Sequence, residues 1–93
     1  MGPTVKLRAT PLAGVYLAET SAIADHRGAL TRLYCEHALA PALGTRRIVQ
    51  LNHTHTYSVG AVRGMHLQYP PQAEMKFVRC LKGRVWDVAV DLR

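Results

Sequence analysis

The chain has 93 residues, which suits one small domain with a modest core, because a chain of this length buries roughly 60–70% of its unfolded surface. Its hydrophobic content of 48% argues against a disordered chain, and no apolar run reaches the roughly 20 residues of a membrane helix. Twelve Lys and Arg against six acidic residues give a net charge of +6, which favours an anionic ligand. The basic residues are spread along the chain, so we expect a small phosphorylated ligand, with no nucleic acid or membrane partner.

The N-terminus and the cysteines indicate the compartment. No apolar segment follows the first basic residues, so a secretory signal is not expected and the cytoplasm is the predicted location. Cys35 and Cys80 have neither the spacing of a metal site nor that of a disulfide framework, and we expect free thiols. Because Cys80 lies in an alternating stretch, we expect it to be buried.

The first half of the chain predicts strands joined by turns. Residues 15–19 predict a short strand, and Asp25 and Gly28 are placed for a turn over 25–28. Residues 29–39 predict a strand followed by a short helical turn. A loop is expected over 41–47, and then a strand over 47–56.

The second half has the stronger β pattern. Residues 58–69 are β-rich and broken by glycines, 70–74 predict a loop, and 75–83 alternate and end in a turn. Residues 84–93 alternate almost without exception and predict a strand with two unlike faces. One face carries Trp86, Val88, Val90 and Leu92, and the other carries Val85, Asp87, Ala89 and Asp91. The two aspartates then face either solvent or a polar cavity, and the pattern leaves both alternatives open.

The histidines raise the question of a metal. His53 and His55 lie two apart and so share one face of a strand, but a metal needs a third converging ligand. In the metal motif of the cupins, His66 and Gln68 take the place of a His-x-His pair, and Lys76 takes the place of a glutamate. An amide and an ammonium group are poor metal ligands, so we expect no metal and no cofactor.

The segment 47–93 carries a longer pattern at fixed spacing. Its matching residues are Gln50, Asn52, Arg63, Gly64, His66, Gln68, Pro70, Pro71, Lys76, Val78, Gly83, Asp87, Val88, Val90, Asp91 and Arg93. Asp25, Arg27 and Gly28 add an upstream D-x-R-G. This pattern resembles the dTDP-4-dehydrorhamnose 3,5-epimerase family of metal-free cupins, specifically its N-terminal half.

The resemblance implies an isomerase that epimerises a nucleotide-linked 4-keto-6-deoxy sugar, of the dTDP-4-dehydro-6-deoxyglucose type, in rhamnose biosynthesis. It assigns His66 as the base that removes a proton next to the ketone, and a histidine ordinarily titrates at about pH 6.5, which suits that role. Lys76 would stabilise the enolate oxygen, and Asp87 would orient Lys76 or a histidine. The predicted substrate-binding residues are Arg27 and Arg63 at the pyrophosphate, with Gln50, Asn52 and Gln68 at further ligand contacts.

The resemblance implies an all-β, cupin-type jelly roll or β-sandwich, formed by residues 1–93 as one truncated epimerase-like domain. Family members continue for about as many residues again, Ala29 replaces an aromatic residue, and Arg32 replaces a glutamate. A sandwich that lacks half its strands exposes a β edge around Trp86, so we expect a homodimer or higher oligomer completed by strand exchange.

Two alternative functions remain open at this point. One is a catalytically inactive fragment that binds a sugar nucleotide, since the family's proton donor would lie in the uncovered half. The other is a nucleic-acid-binding protein, which only the net charge of +6 favours.

Overall fold

The computed structural model describes residues 2–93 and contains a three-stranded antiparallel sheet and one helix. The strands are β1 (Thr4–Ala9), β2 (Tyr16–Asp25) and β3 (Gly28–Thr31), and the helix is α1 (Glu36–Leu43). The sheet order is β1-β2-β3, so β2 is the central strand. Its first six residues pair with β1, and its last four pair with β3. The regular structure is therefore mainly β, as predicted.

The loop between β1 and β2 is fixed by one hydroxyl group. The N–H of Leu12 donates to Oγ1 of Thr10 at 3.2 Å, and the same oxygen lies 2.8 Å from the carbonyl oxygen of Val15. The N–H of Val15 donates to the carbonyl of Leu12 at 3.1 Å. These bonds satisfy backbone groups in the loop and bring Ala9 opposite Tyr16, where the pairing of β1 with β2 begins.

The helix packs its apolar side on β1 and forms the core of this part of the chain. Leu39 and Leu43, four residues apart and hence on one face of α1, are buried with Val5 of β1. The predicted loop over 41–47 is wrong for its first three residues, because α1 continues through Pro41 to Leu43. Proline lacks an N–H and disfavours a helix interior, but burial of the two leucines stabilises this short helix against that cost.

The side chain of Arg46 completes the C-terminus of α1. Its guanidinium donates to the carbonyl oxygens of Leu43 and Ala42, both at 2.9 Å. A helix leaves its last carbonyl groups without intrahelical partners, and a cation near them interacts favourably with the helix dipole. Arg46 therefore has a local structural role.

Replacing Leu39 with alanine is expected to lower the free energy of unfolding by about 2 kcal/mol, because only 2% of this side chain is exposed and its removal leaves a cavity. Urea denaturation followed by far-UV circular dichroism measures the change. Leu30→Ala is the matched control, since Leu30 is 63% exposed and its truncation should change the free energy by less than about 0.5 kcal/mol. Equal effects of the two substitutions would contradict the assignment of the core.

The predicted strands over 47–56, 58–69, 75–83 and 84–93 are absent from the structure. Residues 44–93, all of them described, contain turns and bends but no helix or strand. A strand requires backbone hydrogen bonds from a neighbour, and alternation alone supplies none. Cys80 is exposed, so the prediction that it is buried is wrong for the same reason, whereas both cysteines are free as expected.

The chain divides into two compact units, one ending at Leu51 and the other spanning Asn52–Arg93. The first contains the sheet, the helix and the buried core. Every residue of the second is exposed. Among the described residues, no helix is long and apolar enough to span a membrane.

Candidate functional site

A turn in the second unit brings two parts of the predicted site together. The N–H of Gln72 donates to the carbonyl of Tyr69 at 2.9 Å, which closes a turn at the loop predicted over 70–74. The chain reverses there, and the residues before and after the turn line an open hollow of about 310 Å³. We call it the His66 hollow, and its lining residues are His66, Leu67, Gln68, Ala73, Glu74 and Lys76.

Gly64 allows the ring of His66 to lie close to the backbone. The φ angle of Gly64 is +102°, a conformation that side-chain-bearing residues rarely adopt. A Cβ atom at this position would lie 3.3 Å from Nδ1 of His66 and 3.5 Å from its backbone nitrogen. The lack of a side chain at position 64 therefore gives the imidazole its place at the hollow.

The polar side chains that line the hollow are of several chemical types. His66 provides an imidazole, Lys76 a cation, and Gln68 an amide that both donates and accepts hydrogen bonds. These three were predicted site residues, and the structure places them around one space.

Glu74 is a lining residue that the sequence analysis missed. Its carboxylate adds a negative charge to the hollow, on the same side of the turn as Lys76. The signal available in the sequence was its position two residues before Lys76, but residues 70–74 were interpreted only as a connecting loop.

The remaining predicted residues do not line the His66 hollow. Arg27 and Gln50 belong to the first unit. Asn52, Arg63 and Asp87 belong to the second unit and are exposed there.

Arg27 pairs with Asp25 in the turn between β2 and β3, and this turn forms where it was predicted. Its Nη2 and Nε donate to Oδ2 of Asp25 at 2.6 and 3.1 Å, and its backbone N–H donates to Oδ1 at 2.8 Å. The side-chain hydrogen bond from Arg27 lowers the pKa of Asp25 below its ordinary value of 3.8. An incoming phosphate at Arg27 must compete with this carboxylate.

The two aspartates of the predicted last strand have different surroundings. Asp91 accepts hydrogen bonds from Nε of Arg93 at 3.0 Å and from the Arg93 backbone N–H at 2.9 Å. The side-chain bond is the main cause that lowers the pKa of Asp91 from 3.8 to about 2. Both Asp87 and Asp91 are exposed to solvent. The structure thus gives Asp91 a local partner.

Comparison with known proteins identifies relatives over nearly the whole chain. The sequence model of the family described as dTDP-4-dehydrorhamnose 3,5-epimerase matches residues 9–93. A dTDP-4-dehydrorhamnose 3,5-epimerase of Streptomyces griseus is 39% identical over 94% of this chain and 44% of its own length. The Pseudomonas aeruginosa protein of the same name is 41% identical over 94% of this chain and 49% of its own length. A Streptomyces niveus protein named dTDP-4-dehydrorhamnose 3-epimerase is 36% identical over 96% of this chain and 43% of its own length.

The chain spans less than half the length of each of these relatives. No solved structure matches it significantly. The family match nevertheless covers all but the first eight residues and includes both units. The chain therefore belongs to the dTDP-4-dehydrorhamnose 3,5-epimerase family.

Proposed function

We propose that this chain acts on a nucleotide-linked 4-keto-6-deoxy sugar and epimerises a carbon next to the ketone. The observation that supports this best is the His66 hollow, which has a base and a cation on opposite sides of one turn. Family membership supports the substrate class, because the relatives are named for a dTDP-linked dehydro sugar.

The proposed reaction starts with His66. The imidazole removes the proton from the carbon beside the ketone, and the C–H electron pair forms a carbon–carbon double bond while the carbonyl oxygen becomes an enolate. The ammonium group of Lys76 stabilises the negative charge on that oxygen. A solvent water donates a proton to the opposite face of the carbon, and the imidazolium of His66 releases its proton to solvent, so the configuration inverts and the net reaction conserves all atoms.

The rest of the proposed site binds the nucleotide diphosphate. Arg27 in the first unit and Arg63 in the second are each assigned to a phosphate, because a guanidinium donates two parallel hydrogen bonds to a phosphate. Gln50 and Asn52 supply further polar contacts, and Gln68 holds the sugar near His66. The family resemblance assigns Asp87 to orient Lys76 or a histidine. No metal or other cofactor is required, since the cation at the enolate is a side chain.

Binding of dTDP is expected to raise the pKa of Asp25. The carboxylate is charged and paired with Arg27 above its lowered pKa, and the pairing is lost as pH falls through that value. A phosphate that takes Arg27 removes the interaction responsible, so the pKa returns toward 3.8. An NMR titration of the Asp25 carboxyl carbon with and without dTDP measures this. A pKa of Asp25 that dTDP leaves unchanged would exclude Arg27 from the phosphate site.

Solvent deuterium incorporation tests the reaction. The full chain is incubated in deuterated water with dTDP-4-dehydro-6-deoxyglucose, and the sugar is examined by NMR. We expect deuterium at carbon 3, which the names of all three compared relatives share, and at carbon 5 if the chain follows the 3,5-epimerases. Absence of label at both carbons would overturn the proposed activity.

A second candidate is a sugar-nucleotide-binding module without catalysis. It is favoured by the open second unit, in which every residue is exposed, because an enolate is poorly stabilised where water has free access. The same experiment separates the two. Stabilisation of the chain by dTDP in thermal unfolding, with no incorporation of deuterium, supports the binding module.

A further inference from the structure

Glu74 is a polar residue of the His66 hollow to which the proposed reaction gives no role. Three carboxylates elsewhere in the chain each form an ion pair with an arginine: Glu19, Asp25 and Asp91. Within residues 2–93, which the structure describes, the side chain of Glu74 has neither an ion pair nor a hydrogen bond. Its two carboxylate oxygens are therefore available at the hollow to accept hydrogen bonds from a ligand.

The charges around the hollow balance, because Lys76 contributes one positive charge and Glu74 one negative charge. Gln68 is neutral, and so is His66 in the form that acts as a base. No ion pair joins Glu74 to Lys76 in the described part of the chain, so both groups can interact with a bound molecule. A phosphate drawn toward Lys76 would be repelled by Glu74, because its Coulomb energies with the two groups have opposite signs. The hollow therefore favours an uncharged part of a ligand.

The chemistry of a carboxylate decides which group of a sugar it can bind. An ionised carboxylate only accepts hydrogen bonds, so Glu74 can bind a hydroxyl group but not the oxygen of a ketone or a phosphate. An ammonium group only donates, so Lys76 takes an oxygen that carries no proton. Glu74 and Lys76 lie on the same side of the turn, and a 4-keto sugar carries a hydroxyl on carbon 3, next to the ketone. The acceptor and the donor in the hollow thus match, in type, the oxygens of two neighbouring sugar carbons.

We propose that Glu74 is a specificity-determining residue of the His66 hollow. Its carboxylate accepts a hydrogen bond from the hydroxyl on carbon 3 of the sugar, and its charge excludes phosphate from Lys76. The part of the ligand that enters the hollow is therefore an uncharged, hydroxylated keto sugar, with the ketone oxygen at Lys76 and the reacting carbon at His66. The role of Glu74 rests on the proposed function, because the ligand is taken to be a nucleotide-linked 4-keto sugar.

Inorganic pyrophosphate tests the exclusion of phosphate from the hollow. NMR of the full chain follows the ring protons of His66 during a titration with pyrophosphate, in the wild type and in Glu74→Gln. Glutamine keeps the shape of the side chain and removes its charge. We expect the pyrophosphate concentration that half-saturates the His66 shift to be about fivefold lower in Glu74→Gln than in the wild type. Equal values, or no shift of His66 in either protein, would overturn the exclusion of phosphate by Glu74.

Binding of two sugars tests the hydrogen bond to Glu74. Dissociation constants are measured by calorimetry for dTDP-4-dehydro-6-deoxyglucose and for its 3-deoxy analogue, both in the His66→Ala background to prevent conversion during the measurement. Adding Glu74→Ala should weaken binding of the hydroxylated sugar by about tenfold, because a hydrogen bond to a charged group is lost. Binding of the 3-deoxy analogue should weaken by less than about twofold, since this sugar has no hydroxyl on that carbon.

Glu36 provides the matched control for both experiments. It is an exposed glutamate of α1 that does not line the hollow, so Glu36→Gln and Glu36→Ala should change each value by less than about twofold. If both sugars bind and Glu74→Ala weakens their binding equally, the hydrogen bond to Glu74 is rejected while the proposed function stands. If neither sugar binds, the proposed function fails and the hydrogen bond fails with it, whereas the pyrophosphate titration still decides the exclusion of phosphate.

Discussion

Replacing His66 with alanine is expected to lower the rate of solvent deuterium incorporation at carbon 3 by about a thousandfold. In the proposed reaction His66 removes the proton, and it is the only histidine that lines the hollow shared with Lys76 in the described part of the chain. Its removal leaves water as the base. The rate is measured by NMR on the dTDP-linked sugar at saturating substrate.

His53→Ala is the control for this prediction. His53 belongs to the same unit and is exposed, but it does not line the hollow, so its loss should change the rate by less than about twofold. Thermal stabilisation by dTDP should persist in both variants, because neither histidine is assigned to the phosphates. A His66→Ala variant that incorporates deuterium as fast as His53→Ala would show that another group removes the proton.

Replacing Lys76 with methionine is expected to lower the same rate by about a hundredfold. Methionine keeps much of the side-chain length and removes the charge, so the change isolates the electrostatic contribution to the enolate. The effect should appear mainly in kcat, because the negative charge on the sugar oxygen develops after binding. Steady-state measurement of kcat and KM separates this from weaker substrate binding.

Lys82→Met is the matched control, since it removes an equal charge from the bend near Gly83, outside the His66 hollow. An equal loss in both variants would mean that the net charge of the chain, rather than a specific ammonium group, supports the reaction. Partial recovery of the rate in Lys76→Arg would support a requirement for a cation at that position.

The hairpin of β2 and β3 follows from the sequence because its interactions are local, whereas β1 (Thr4–Ala9) was not predicted. The turn at Asp25–Gly28 and the strands on either side of it lie within ten residues of one another, and turn-forming side chains fix them. The loop predicted from Pro41 onward placed the end of the helix too early. The pattern of proline and glycine carries no information on the packing of Leu39 and Leu43 against Val5. The burial of Leu39 and Leu43 in the core stabilises the helix as far as Leu43.

The second half could not be predicted from periodicity because strands depend on partners. Residues 84–93 alternate almost perfectly, but alternation specifies only which side chains share a face, whereas a strand also requires a neighbouring backbone. The same limit explains Cys80, whose predicted burial presupposed a second layer over the strand.

Individual site residues differ in how far the sequence could place them. The loop predicted over 70–74 contains the turn between His66 and Lys76, so their shared hollow involves residues that are close along the chain. The pairing of Arg27 with Asp25 was not predicted, because Arg27 was interpreted as a ligand-binding residue and Asp25 as a turn-forming residue. The sequence records residue types but not which of two partners a guanidinium binds.

The close approach of the imidazole to Gly64 limits which variants of this chain can keep the hollow intact. Even an alanine there would force the ring or the backbone to shift, since its methyl carbon would lie in tight contact with Nδ1 of His66. Position 64 carries no reactive atom, yet sequence variation at this site is coupled to the orientation of its neighbour. A methyl group at position 64 would therefore alter the position of the His66 ring although His66 itself is unchanged.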